Sequence, residues 1–142
     1  MAGDADPFDL QRFVEAQATV YARVGAELRA GRKTSHWMWF VFPQLAGLGH
    51  STMAARYAIR SRDEARAYLA HAVLGPRLRE CTGLVLGAGG LNAYDIFGNP
   101  DELKFHSSMT LFAVVADAPE IFDAALTKYF GSQRDAATLE LL

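Results

Sequence analysis

The chain has 142 residues, of which 51% are hydrophobic and 21% charged, and its net charge is −2 with a pI near 6.1. This is the size and balance of one globular domain, 1–142, that can bury a core without metals or disulfides, and it excludes a disordered polyelectrolyte. No overall basic field is present, which argues against nucleic acid as a partner and leaves any phosphate ligand to a local patch.

From Phe8 to Ala30 the apolar residues Leu10, Phe13, Val14, Val20, Tyr21, Val24 and Leu28 recur at spacings of three and four, which predicts one helical face. Asp6-Pro7 is its start signal and Gly31 its stop. Gln17 lies within that stripe, where a buried amide needs a partner or a pocket to face. Gly31 to Gly49, GRKTSHWMWFVFPQLAGLG, is an irregular aromatic insert holding both tryptophans of the chain. Pro43 breaks any helix there, and the glycines of AGLG permit a tight loop. Ser51 can cap a helix to about Arg60. Ser61 and Glu64 have capping-box spacing for a helix that turns Ala65, Tyr68 and Leu69 to the core and stops near His71.

Leu74 to Leu86 reads as a helix closed by GAGG, a linker rather than a phosphate cradle because no strand precedes it. Asn99-Pro100-Asp101-Glu102 opens a helix to about Ala116, with Asn99 as N-cap. Asp117 is placed to cap the next, ending at Gly131, and Asp135 a last one through Leu142. With no clean period-2 strand and no repeat, the expectation is a mainly α domain of six or seven helices. One cysteine, Cys81, excludes an intramolecular disulfide, and the four histidines form no metal-ligand spacing, so neither metal nor cofactor is implied. The acidic MAGDADPFDL carries no signal-peptide pattern, and no run approaches the roughly 20 apolar residues of a membrane span. A cytoplasmic location without membrane contact is expected, and the oligomeric state is left open.

Residues able to carry chemistry fall in two clusters. In the first, Trp37 and Trp39 could stack a flat ligand, Arg32 and Lys33 could hold phosphate or carboxylate, and Gln44 could add an amide. His36 is its proton-transfer candidate. In the second, Asp95 is a further acid–base candidate, and Lys104, Ser107 and Ser108 share a helix face that could form an opposite wall. Arg56, Arg60, Arg62 and Arg66, interleaved with Asp63 and Glu64, read as a solvated basic face.

With GRKTSHWMWFVFPQLAGLG, AYDIFGNPDELKFHSSMTLF and the closing TLELL in view, the chain resembles Domain of Unknown Function family 1810 from Phe8 to Leu142. The resemblance implies small, mainly helical cytoplasmic proteins and brings no established reaction. A more remote similarity, to the NADAR group of NAD- and ADP-ribose-associated proteins, rests on the order of Gln17, Asp95, Phe97-Gly98 and the Lys104–Leu111 helix. The chain departs from that group in having Glu15-Ala16 before Gln17 and Phe97 before the glycine. The leading expectation is binding or hydrolysis of a nucleotide-like or ADP-ribosyl small molecule in an aromatic and basic pocket. The competing one is a non-catalytic interaction module presenting WMWF as an exposed hot spot.

Overall fold

The computed structural model describes residues 5–142, so the first four residues of the acidic N-terminal stretch lie outside it. The described chain forms α1 (Gln11–Ala18), α2 (Tyr21–Arg29), α3 (Met38–Val41), α4 (Thr52–Arg56), α5 (Arg62–Ala70), α6 (Leu74–Leu86), α7 (Ala93–Phe97), α8 (Asp101–Val115), α9 (Glu120–Phe130) and α10 (Ala136–Leu141). No strand occurs among the described residues, and the one isolated bridge joins Leu45 and Ile59 in parallel. The all-α class therefore holds, with ten helices in place of six or seven.

Each extra helix has a local cause. The expected single helix over 8–30 divides at Thr19-Val20, two adjacent β-branched residues of modest helix propensity. There the Val20 N–H bonds the Gln17 carbonyl at 3.1 Å in a tightened turn, which lets α1 pack on α3 and α2 on α6. Inside the aromatic insert, 38–41 closes one helical turn before Pro43. The third addition, α7, carries a full capping box in which Asn92 accepts from the Asp95 N–H and Asp95 accepts from the Asn92 N–H.

Several caps stand where the sequence places them. Gly31 and Gly131 close α2 and α9 with positive φ, whereas the start expected at Asp6-Pro7 comes later, with α1 beginning at Gln11 behind Leu10 and Asp6 accepting from the Leu10 and Gln11 N–H groups from outside the helix. Ser51, Ser61 and Asp135 cap α4, α5 and α10. Others differ. Asn99 is one residue too early to cap α8; Pro100 holds that position and the Asn99 amide goes to Glu102. Pro119, not Asp117, precedes α9. The Ser61–Glu64 box is half formed, because the Glu64 carboxylate takes the Arg60 N–H and the Arg12 guanidinium instead of the Ser61 N–H. The α4 helix stops at Arg56 because Ile59 leaves for the bridge, donating to the Gln44 carbonyl and accepting from the Ala46 N–H.

The core is organised around α8, which packs on α5, α7, α9 and α10. Nine of its fifteen residues are buried, so it is enclosed on all sides rather than amphipathic. Aromatic rings link its flanks: Phe105 meets Phe42 edge-on and stacks on Phe97, and Phe112 meets Tyr68 and Phe122 at tilted angles. Leu69, expected in the core, is only partly buried at its edge. No helix among the described residues is long and apolar enough to cross a membrane.

Candidate functional site

Two anchors shape the aromatic insert. The first is Glu27 on α2. Its buried carboxylate accepts from the Thr34 and Ser35 N–H groups, the Ser35 hydroxyl and the Trp37 indole N–H, at 2.5–3.0 Å. Burial by itself would raise the Glu27 carboxyl, but the hydrogen bonds donated by Ser35, Thr34 and Trp37 outweigh it and hold the group down to about 2 from an ordinary 4.5. The second anchor is the Leu45–Ile59 bridge, which fixes segment 44–46 against 58–60.

Between these anchors and α8 lies a cavity of about 250 Å³. Met38, Trp39 and Phe42 form one wall, Gln44 to Gly49 the rim, Tyr57 and Arg60 a second side, and Lys104 a third. The rim requires its glycines. Gly47 sits at φ +100, and a Cβ on Gly49 would stand 2.5 Å from the Ala54 Cβ. The Trp39 indole N–H is buried and finds no acceptor among the described residues. The Lys104 ammonium lies 5.3 Å from the centre of the Trp39 ring and 3.5 Å from Asp101 Oδ1. Asp101 Oδ2 in turn holds the Lys33 ammonium at 2.8 Å, and Lys33 lies 5.2 Å from the Trp37 ring. This ladder carries one net positive charge and joins the two polar clusters through Asp101. The described lining contributes cations, an amide, an indole ring and a phenol, and neither a carboxylate nor an imidazole.

Of the residues singled out in the sequence, Trp39, Gln44 and Lys104 come together in this cavity. Trp37 does not: it is a core side chain with its N–H satisfied by Glu27. Gln17 is also core, donating to the Phe40 carbonyl and the Tyr68 hydroxyl while Arg77 donates to it. Arg32, Lys33 and Asp95 line a separate shallow groove with Leu91 and Tyr94. Asp95 is exposed there and spends its carboxylate on the α7 cap, and His36 is exposed outside both sites. Ser107 and Ser108 do not form a second wall, because α8 buries both. Ser107 bonds the Leu103 carbonyl and Asp135, and the Ser108 hydroxyl is buried without a partner among the described residues. The WMWF run is not an exposed patch, since Trp37, Met38 and Phe40 are buried and Trp39 partly so.

Sequence reasoning missed Tyr57 and Arg60 as cavity residues. The signal for Arg60 was its place beside Ile59, but the bridge that brings it to the cavity edge has no periodicity to read. Cys81 is no nucleophile in waiting: burial pushes its thiol up to about 11.

The geometry can be set beside known proteins. The chain is similar to the conserved hypothetical protein Rv1873 from Mycobacterium tuberculosis, whose crystal structure was determined at 1.38 Å. The two share 61% identity and a TM-score of 0.95, over 96% of this chain and 98% of that one. A search of curated proteins gives no match. The family described as "Protein of unknown function (DUF1810)" matches residues 7–142, and the chain belongs to that family.

Proposed function

We propose that the chain binds a small molecule carrying a planar ring and an anionic group, of the nucleotide-like class, in the cavity between Trp39, the 44–49 rim and Lys104. The observation that carries this reading is the Trp39 ring in the wall of a cavity beside the Lys104 ammonium, with Gln44 and Arg60 on the same lining. The Trp39 face offers stacking and Lys104 and Arg60 offer charge. At about 250 Å³ the cavity lies just below the 300–1,000 Å³ range of drug-sized pockets, which favours one ring and its substituents over a dinucleotide. An ADP-ribosyl compound belongs to the class only if most of it extends outside.

The proposal is binding, not hydrolysis, since neither His36 nor Asp95 borders the cavity. The NADAR-like order of Gln17 and Asp95 adds no support, because Gln17 is spent in the core and Asp95 on a cap. A partner-binding reading rests instead on the other groove, where Tyr94 is 62% exposed beside Leu91. Thermal-shift screening against nucleosides, nucleotides, NAD and ADP-ribose tests the small-molecule reading. A member present at roughly 100 times its Kd should add about 2.7 kcal/mol to the wild type and much less to Lys104→Ala. A panel without any shift would rule the nucleotide class out.

A further inference from the structure

We infer that the open groove beside the cavity is a phosphate subsite for the same ligand, with Arg60 at the junction. The inference rests on the small-molecule reading above and extends it to a defined ligand shape: a ring in the cavity and a phosphate ester in the groove. The two spaces share walls. Leu45 and Arg60 border the cavity and also a second depression of about 390 Å³, completed by Ser61, Arg62, Asp63, Arg66, Leu141 and Leu142. Together they reach the size range of a whole nucleotide site, which the cavity alone does not.

The charge in the groove is unbalanced in favour of an anion. Three guanidinium side chains outnumber two carboxylates, that of Asp63, which Arg66 already holds at 3.3 Å, and the α-carboxylate of Leu142. Glu64 could have neutralised Arg60, but its two oxygens are occupied by the Arg12 guanidinium at 2.8 Å and the Arg60 backbone N–H at 3.1 Å. Arg60 and Arg62 therefore make no ion pair among the described residues. The Arg60 backbone is meanwhile fixed on both sides, by the Ile59 bridge to 44–46 and by Glu64. A free guanidinium on a fixed backbone, at the mouth of a cavity that holds a ring, is suited to bidentate contact with a phosphate. Arg62, exposed on the first turn of α5, can supply a second contact.

Titration calorimetry on the full chain tests this with nucleosides of the common bases and their mono- and diphosphates. The wild type should bind a monophosphate about tenfold or more tighter than its nucleoside, with the gap shrinking at high salt. Arg60→Ala should bring the gap to within about twofold, and Arg62→Ala, which lies outside the cavity lining, should narrow it in part while leaving nucleoside affinity unchanged. Trp39→Phe should weaken nucleoside and nucleotide together. Both arginines are exposed, so equal unfolding temperatures confirm intact variants. Nucleoside and monophosphate binding alike, or a gap that survives in Arg60→Ala, overturns the subsite while the cavity reading stands. Absence of binding by every compound overturns both.

Discussion

Trp37 and Trp39 are two residues apart, on either side of Met38, and they end in opposite conditions. Trp37 is 1% exposed, and its indole N–H meets the Glu27 carboxylate at 3.0 Å. Trp39 is partly buried against Lys104, and its N–H meets no acceptor among the described residues. The Trp37 region is finished: four donors converge on one carboxylate and nothing polar is left over. The Trp39 region is unfinished in the sense that matters for binding. It has a cavity, an amide and charge, and the Trp39 N–H is left without a partner among the described residues. An aromatic cluster in a sequence is therefore two kinds of residue, and only the hydrogen-bond inventory of each ring separates them.

The contrast can be attacked from its strongest side first. Trp37→Ala should cost about 3–5 kcal/mol in urea unfolding, as a fully buried indole is lost from the core. Glu27→Gln comes next, at about 2 kcal/mol, because an amide cannot accept all the hydrogen bonds its charge now collects. The same substitution has a pH signature. The folded-state pKa of Glu27 lies below its unfolded value, so its stabilisation is complete above pH 4.5 and is lost as pH falls from 4.5 toward about 2. Wild type and Glu27→Gln should therefore converge in stability through that window, and parallel curves would disconnect the carboxylate from the insert. Gly49→Ala should cost about 1–2 kcal/mol and constrict the cavity, since its Cβ must displace Ala54. Smallest of all is Trp39→Phe, expected within about 0.5 kcal/mol of wild type because it removes an unpaired buried donor while keeping a ring for Lys104. A loss as large as that of Trp37→Ala would erase the distinction between the two tryptophans.

Much of the helical frame was legible because caps are local chemistry. Ser51, Ser61, Asp135, Gly31 and Gly131 all act where the sequence places them, and α6 has its expected bounds, Leu74–Leu86. The Asn92-x-x-Asp95 box was also written in the sequence, but its helix is only five residues long and lay hidden behind the GAGG turn. Ser107 and Ser108 read as a polar face, and of the two Ser107 makes a polar contact, with Asp135, while their burial within α8 is something local spacing does not reveal. At the site, residue type alone picked out Trp39, Gln44 and Lys104. Arg60 was hidden because it reaches the cavity through a two-residue bridge between distant segments, a tertiary event with no local pattern. Asp95 and Gln17 attracted attention as polar residues near apolar ones, and both turn out to be satisfied within the fold.

The central claim is that Trp39, and not Trp37, faces a ligand. The chain has two tryptophans, so a proton–nitrogen correlation spectrum should contain two indole signals, assignable with Trp39→Phe. Titration with nucleoside monophosphates should move the Trp39 signal, as a ligand ring stacks on its indole, and leave the Trp37 signal in place against Glu27. Two unmoved signals, or a shift confined to Trp37, would contradict the account.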